Sequence, residues 1–289
     1  MVEVTAKLMT SLIFPDKEEA TTQSVATPKV MVNSRLWSTE QIKLAFHLYC
    51  QTPFGKIDSR NKEVIALANA IGRTPSAVAM KMLNIASLDP AITSTGRVGL
   101  GNASALDREV WAEFHADWER LAVESQLLRE QLDKEMKPEF ETESDFLIPE
   151  DFTGETRQVI TAQRIKQNFF RRAVLSSYKG RCCMSGLSEP KLLIASHIVP
   201  WSKDKKYRLN PSNGLCLSAI HDRAFDKGLI TLDDDFKVVI SKQLKKREDT
   251  FVQQVLMPLS GKIIDLPERF MPSLAFISQH RASTFLDNL

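Results

Sequence analysis

Two histidines and an asparagine in the second half of the chain have the types and order of a hydrolytic site. His197 lies near the end of a short apolar stretch, Asn213 precedes a glycine, and His221 follows a second apolar stretch. An imidazole that titrates near neutral pH can take a proton from water. A divalent cation beside it can polarise a phosphoryl oxygen and neutralise a leaving oxygen. The three residues therefore indicate metal-assisted hydrolysis of a phosphodiester.

Positioning these side chains requires two strands and a helix. Residues 194–198 are typical of a short strand, and residues 214–217 of a second one entered through Asn213-Gly214. Residues 219–227 predict a short helix that Gly228 closes. The sequence thus predicts a ββα unit with His197 on the first strand and His221 at the start of the helix.

The helix also carries acidic side chains that suit a cation. Asp222 and Asp226 follow His221 closely, and together these three residues are the candidate metal ligands. Asn213 is placed to hydrogen-bond backbone groups across the long loop and to fix the strand that carries His197.

Four short motifs in this stretch resemble those of the HNH endonucleases, in particular the restriction-type branch. They are Cys182-x-x-Ser185-Gly186, Ala195-Ser196-His197-Ile198-x-Pro200-Trp201, Asn213-Gly214-Leu215, and His221-Asp222-x-Ala224-Phe225-Asp226-x-Gly228-Leu229. The resemblance implies a ββα-metal fold, with His197 as general base, Asn213 as structural support and His221 as metal ligand. It also implies a divalent metal, Mg²⁺ in the first place and Mn²⁺ as the alternative, and cleavage that leaves a 3′-hydroxyl and a 5′-phosphate.

Two positions depart from the pattern of many HNH nucleases. The residue before the base is often acidic or a second histidine that binds the metal, but here it is Ser196, so the second ligand is left to Asp222 or Asp226. The chain also lacks the paired CxxC motifs of a structural zinc site, and we predict no structural zinc.

Each of these residues also has a plain structural interpretation. A histidine near a strand end is more often a packed or surface residue than a base, and Asn213-Gly214 by itself is a turn signal. The side chains of Phe225 and Leu229 suit a core, and the four cysteines suit small apolar filling.

Charge separates the chain into two unlike halves. Residues 1–156 contain 16 basic and 24 acidic residues, whereas residues 157–289 contain 22 basic and 12 acidic residues. A cationic half is expected of a domain that binds a polyanion. The basic residues best placed for DNA phosphates in this half are Arg171, Arg172, Lys203, Lys205, Lys206 and Arg208.

Residues 34–105 predict a small helical domain. Ser38 can cap a first helix, Gly72 can end a second, and Thr74-Pro75 can begin a third, an order typical of a helix-turn-helix. Arg73 and Lys81 would then be available to DNA. The alternative is a helical module that only packs or binds protein.

Residues 106–156 predict a long helix, from Ser104 to about Met136, followed by an acidic linker. Apolar residues recur along this helix at steps of three and four, which favours either packing within the chain or the seam of a homodimer. Residues 1–33 show no clear period and are expected to be a mobile arm.

The composition is that of an ordinary globular protein, with 43% hydrophobic and 26% charged residues. No apolar run is long enough for a membrane span, no export signal is recognisable, and the cysteines lack paired spacing, so we expect a cytoplasmic protein. The expected fold class is α+β, with the HNH domain in residues 157–289. The expected function is a metal-dependent DNA endonuclease of a restriction or defence system. The alternatives are a nicking or homing nuclease of a mobile element and a DNA-binding protein without catalysis.

Overall fold

A computed structural model of the chain describes residues 36–94, 96, 100–136, 154–201 and 206–287. The described part combines many helices with two small antiparallel sheets, which confirms the α+β class. The expected arm at residues 1–33 and residues 137–153 of the acidic linker lie outside this part. Within the described ranges, no helix has the length and apolarity needed to cross a membrane.

The three predicted N-terminal helices are present. They are α1 (Thr39–Gln51), α2 (Lys62–Ala70) and α3 (Pro75–Ala86), and a short helix that was not predicted, α4 (Pro90–Thr93), follows them. Ser38 caps α1 in a capping box with Gln41, and Thr74 caps α3 with Pro75 at its first position. These helix starts follow from local side-chain chemistry alone, because each cap oxygen satisfies a backbone N–H that the helix cannot.

The single long helix expected from Ser104 onward is wrong. The structure has two helices, α5 (Ala105–Ala116) and α6 (Trp118–Met136), separated at Asp117. The carboxylate of Asp117 accepts a hydrogen bond from the backbone N–H of Arg120 at 2.9 Å. Asp117 therefore acts as the cap of a new helix, and this local hydrogen bond overrides the continuous apolar period.

The apolar residues that recur along these two helices pack against other parts of the same chain. Phe114 and Trp118 are buried and pack on the ring of Phe46 in α1. Farther along α6, Leu128 and Leu132 pack against the same core. The interpretation as packing within the chain is therefore correct, and the seam on which the homodimer prediction rested does not support a dimer.

One long helix connects the helical part to the sheets. This helix, α7 (Gly154–Ser177), packs against α1 and α6 on one side and against both strands of the first sheet on the other. Arg269 is fully buried at the junction, where its guanidinium donates to the carbonyl oxygens of Tyr49 and Cys50 and to the hydroxyl of Ser176. These carbonyls end α1, and a cation is stabilised at a helix C-terminus.

The first sheet and the helix after it form the predicted ββα unit. Strand β1 (Leu193–His197) pairs antiparallel with β2 (Gly214–Ser218), with His197 opposite Gly214. Helix α8 (Ala219–Asp226) begins directly after β2 and is capped by the Ser218 hydroxyl.

The C-terminal part of the chain packs against the ββα unit, through contacts between β3 (Ile230–Leu232) and α8. It contains the hairpin of β3 and β4 (Val238–Ile240), the short α9 (Lys242–Lys245), a π-helical turn (Val252–Leu256) and α10 (Leu274–Ser283). The chain after α10 closes on Gly228, where a Cβ would lie 2.0 Å from the carbonyl oxygen of Thr284. Gly228 has φ +66, so only glycine suits both the backbone and the space.

Candidate active site

His197 ends β1 and is half-buried between two aromatic side chains. Its ring stacks on Phe170 of α7, with centroids 3.9 Å apart and planes 9° apart. The ring of Trp201 meets it edge-on at 5.4 Å. The two aromatic rings leave the imidazole little freedom to rotate.

One hydrogen bond decides which nitrogen of His197 is basic. Nε2 lies 2.9 Å from the carbonyl oxygen of Arg208. A carbonyl oxygen can only accept, so Nε2 carries the proton and Nδ1 of the neutral ring keeps its lone pair. Burial lowers the pKa of His197 from its ordinary value, and the bond to Arg208 offsets part of that change. The ring is therefore neutral at pH 7, with Nδ1 able to accept a proton.

The side chain of Asn213 forms hydrogen bonds with backbone groups of the loop that connects β1 and β2. Its side-chain oxygen accepts from the backbone N–H of Val199 at 2.8 Å, and its amide donates to the carbonyl oxygens of Val199 and Tyr207. Because Val199 lies two residues after the end of β1, these bonds fix the direction in which the chain leaves His197. The side chain is buried, and the bonds satisfy polar groups that would be costly to leave unpaired.

Gly214 has a role that turn chemistry alone does not reveal. A Cβ there would lie 2.3 Å from Cγ2 of Val174 and 3.0 Å from the ring of Phe170. The missing side chain thus lets α7 approach the strand opposite His197, which is what allows Phe170 to stack on the imidazole.

His221 is buried in the first turn of α8, with 3% of its surface exposed. Its Nδ1 lies 3.3 Å from Sγ of Cys182. Its Nε2 is buried and has no hydrogen-bond partner in the described part of the chain. Such an unpartnered buried nitrogen is uncommon in folded proteins and is free to bind a ligand.

Cys182 is therefore more than apolar filling. Burial raises the pKa of its thiol, but hydrogen bonds from His221, from the Ser185 hydroxyl and from the backbone of Met184 and Ser185 outweigh burial and bring the pKa to about 6. Burial raises the pKa of the other cysteines, Cys50, Cys183 and Cys216. All four are free thiols.

The two acidic candidates on α8 differ in position. Asp222 is half-buried, and Asp226 is exposed. Partial burial raises the pKa of both carboxyls, and for Asp226 the neighbouring charge of Asp222 raises it further. The Ser196 hydroxyl lies near enough to Asp222 to lower its pKa, although it is buried without a hydrogen bond of good geometry to the described residues.

The strand places its two polar residues on opposite faces. Successive side chains of a strand alternate, so Ser196 faces α8 and Asp222, whereas His197 faces α7 and Phe170. The structure thus brings Ser196 close to Asp222, and Asp226 follows Asp222 one turn later on α8. The two histidine rings have different neighbours, since His197 contacts Phe170 and Trp201 whereas His221 contacts Cys182.

The donor set fits a divalent cation in part. His221 offers an unpartnered nitrogen, and Asp222 offers carboxylate oxygens, which hard cations prefer. Within the described ranges, however, no three or more His, Cys, Asp or Glu side chains are grouped so that they could hold a metal ion. Solvent or substrate oxygens would have to complete the coordination.

Several predicted DNA contacts are already engaged within the protein. The ammonium of Lys81 is buried and bonded to both carboxylate oxygens of Asp107 at 2.8 and 3.0 Å, so it would reach DNA only by breaking this pair. Arg171 donates to the carbonyl oxygens of Leu193 and Pro190, and Arg172 pairs with Glu63. These bonds hold α7 against neighbouring elements.

Other basic residues keep part of their charge at the surface. The guanidinium of Arg73 donates to Gln41 and stacks on Trp37, and that of Arg208 donates to the carbonyl oxygen of Trp201 and covers its ring. Lys206 is exposed above the ring of Tyr207. Lys203 and Lys205 lie outside the described residues.

Three contributors to the site were not recognised in the sequence. They are the ring of Phe170, the thiol of Cys182, which was assigned to apolar filling, and the carbonyl of Arg208. The C-x-x-S-G motif was a usable signal for Cys182, because a cysteine that begins a tight turn meets several backbone donors. No local signal identifies Phe170 or the Arg208 carbonyl, since their contacts depend on the long loop and on α7.

Comparison with known proteins agrees with this geometry. The family model described as "HNH endonuclease" matches residues 182–233, which contain β1, β2, α8 and the turn of Cys182. No curated protein matches the chain. Residues 182–233 are therefore similar to an HNH endonuclease domain, and this similarity supports nuclease activity of that part of the chain.

Proposed function

We propose that the chain is a metal-dependent DNA endonuclease in which His197 is the general base. The observation that carries the proposal is the hydrogen bond from Nε2 of His197 to the carbonyl of Arg208. This bond leaves Nδ1 unprotonated, and the lowered pKa of the ring keeps it so at neutral pH. Phe170 and Trp201 hold the ring in one orientation.

In the proposed reaction, Nδ1 of His197 takes a proton from a water molecule whose oxygen attacks the phosphorus. The bond between phosphorus and the 3′ oxygen breaks, the 3′ oxygen takes a proton from solvent to become a hydroxyl, and the phosphate stays on the 5′ oxygen. Asn213 keeps the loop that carries the Arg208 carbonyl and the end of β1 in fixed relation. Held in this way, the base does not have to reorient during the reaction.

We propose His221 and Asp222 as the metal ligands. We give Asp226 no direct role in binding the metal. Asp222 lies beside Ser196, the position where many HNH nucleases carry a ligand, whereas Asp226 is exposed at the end of α8. A bound Mg²⁺, or Mn²⁺ in its place, would supply charge that stabilises the phosphate as it gains negative charge.

We propose that DNA lies along the loop between β1 and β2. This loop contains Lys203, Lys205, Lys206 and Arg208, which suit contacts with phosphates that position the strand without reading its sequence. The net positive charge of residues 157–289 favours the same surface. Arg73 can add a contact from the helical part, but Lys81 cannot without breaking its buried ion pair.

A restriction or defence role is proposed on the motif resemblance alone, and a cytoplasmic setting on the unpaired spacing of the cysteines. One observation favours the non-catalytic alternative, a DNA-binding protein. Ser196 is a poor ligand, and the described residues hold no cluster of three or more metal-binding side chains. The nicking or homing nuclease is an alternative among the enzymes.

Cleavage of supercoiled plasmid tests the proposal. Purified protein is incubated with plasmid in Mg²⁺, in Mn²⁺ and in EDTA, and the ends of the products are labelled to identify the 5′-phosphate. Cleavage in Mg²⁺ or Mn²⁺ and none in EDTA is the expected result. Open-circular product should appear before linear product, because one ββα site cuts one strand. Retention of plasmid in a gel without cleavage in either metal would favour the DNA-binding alternative instead.

A further inference from the structure

The sulfur of Cys182 is held in place by a tight turn. The backbone N–H of Cys182 donates to the carbonyl of Leu187, and the N–H of Gly186 donates back to the carbonyl of Cys182, both at 2.8 Å. Gly186 has φ +73, a conformation that favours glycine. The backbone N–H and carbonyl of Cys182 are therefore both fixed by hydrogen bonds that do not involve its side chain.

The turn surrounds this sulfur with donors. The Ser185 hydroxyl and the backbone N–H groups of Met184 and Ser185 lie near enough to it to lower the pKa of the thiol. A sulfur atom that receives several N–H and O–H groups acts as an acceptor. The remaining neighbour, Nδ1 of His221 at 3.3 Å, then supplies a proton to the sulfur rather than receiving one.

We infer that Cys182 is a positioning residue that fixes the ring orientation and tautomer of His221, so that Nε2 offers its lone pair to the cation. The inference rests on the proposed role of His221 as a metal ligand. Ligating histidines generally donate their second ring nitrogen to an acceptor that sets the tautomer. Carboxylates and backbone carbonyls are the usual acceptors, and here the geometry assigns that part to a cysteine.

The opposite tautomer is disfavoured by the surroundings of Nε2. If Nε2 carried the proton, a buried N–H would have no acceptor among the described residues. An unpaired buried donor is costly to folding. With the proton on Nδ1, the sulfur satisfies it, and Nε2 is left as an acceptor that a cation or a water molecule can use.

The tautomer can be measured directly in the metal-free wild-type protein. Two-dimensional spectra of protein labelled with ¹⁵N at histidine distinguish a protonated ring nitrogen from an unprotonated one by chemical shift. We expect Nδ1 of His221 to be protonated and Nε2 to be unprotonated near pH 7. Protonation at Nε2 would overturn the inference, whether or not the protein cleaves DNA.

Substitution of the cysteine tests the consequence for metal binding. Cys182→Ala is expected to weaken Mn²⁺ binding by about 10- to 100-fold, the usual effect of losing such a partner. Cys182→Ser, which keeps an acceptor, should recover part of the loss. Cys183→Ala is the matched control, because Cys183 is equally buried in the same turn but does not contact His221, and its Mn²⁺ affinity should equal that of the wild type.

The possible outcomes separate the inference from the function on which it rests. Equal Mn²⁺ affinity of Cys182→Ala and Cys183→Ala, with tight binding by the wild type, would overturn the positioning role and leave the proposed endonuclease intact. Absence of Mn²⁺ binding by the wild type would overturn the ligand role of His221 itself. Where Cys182→Ala does not fold, the tautomer spectrum of the wild type decides the question.

Discussion

His280 and His221 are both almost completely buried, yet their surroundings differ in one respect. His280, on α10, uses both ring nitrogens, with Nδ1 at 2.8 Å from the Thr231 hydroxyl and Nε2 at 3.1 Å from the carbonyl oxygen of Phe225. Its ring also stacks on Phe225 at 3.8 Å. His221 uses one nitrogen, on Cys182, and leaves the other without a partner in the described part of the chain.

The difference teaches that burial alone does not distinguish a structural histidine from a candidate ligand. A histidine whose nitrogens are both bonded by the protein has only a packing role, as His280 has between α8, β3 and α10. A histidine with an open nitrogen can bind something further. His197 extends the series, because one nitrogen is bonded and the ring is half exposed at the end of a strand.

The largest effect is expected from removing the base. His197→Ala should lower the rate of plasmid cleavage by about 10²- to 10⁴-fold, the usual contribution of a general base. DNA affinity, measured by fluorescence anisotropy, should change little because the ring carries no charge at neutral pH. His115→Ala, at an exposed histidine of α5, is the control and should cleave normally. A His197→Ala protein that cleaves at the normal rate would contradict the base assignment.

Removing the structural histidine should affect stability instead. His280→Ala leaves the Thr231 hydroxyl and the Phe225 carbonyl without their partner and opens a cavity, so the free energy of unfolding should fall by about 2–4 kcal/mol. Urea denaturation measures this change. The Mn²⁺ affinity of the folded variant should match that of the wild type. A large loss of metal binding at unchanged stability would reverse the roles given to the two histidines.

A smaller change at Gly214 tests how His197 is held. Gly214→Ala places a methyl group 2.3 Å from Val174 Cγ2, and such overpacking costs about 1–3 kcal/mol. Cleavage should also slow, because Phe170 must move from the imidazole. Gly55→Ala is the control, since a Cβ at Gly55 meets nothing within 4 Å. Equal urea midpoints for the two variants would show that α7 does not need the close approach.

The smallest effect concerns the pH at which cleavage is lost. The base must be neutral, and burial lowers the pKa of His197 below its ordinary value of 6.5. The pH at which kcat/KM falls to half of its plateau value should therefore lie below 6.5. A pH profile of plasmid nicking checks this. A rate already halved at pH 7 would indicate a base with a raised pKa.

Sequence alone predicted the elements whose signals are local. The helix caps at Ser38 and Thr74, the glycine stop at Gly228 and the two apolar runs that form β1 and β2 each depend on a few neighbouring residues. Each lies where it was expected. The break at Asp117 was missed because the apolar period predicted one continuous helix. The hydrogen bond that interrupts it involves a single capping carboxylate.

The contacts that define the site mostly join residues that are far apart in the sequence. Cys182 and His221 are 39 residues apart, and Lys81 and Asp107 are 26 residues apart. No periodicity or spacing links such pairs, so a lysine suited to DNA in the sequence proved to be half of a buried ion pair. Motif resemblance supplied His197, Asn213 and His221, but not the partners that decide which nitrogen of each ring is open.

The open nitrogen of His221 is tested most directly by titrating metal-free protein with Mn²⁺ and following free Mn²⁺ by electron paramagnetic resonance. Wild type, His221→Ala and His280→Ala are compared at the same concentration. The wild type and His280→Ala are predicted to bind one Mn²⁺ with the same affinity, and His221→Ala to bind it at least about tenfold more weakly. If His221→Ala binds Mn²⁺ as tightly as the wild type does, the unpartnered nitrogen is not a metal ligand and the proposed site is wrong.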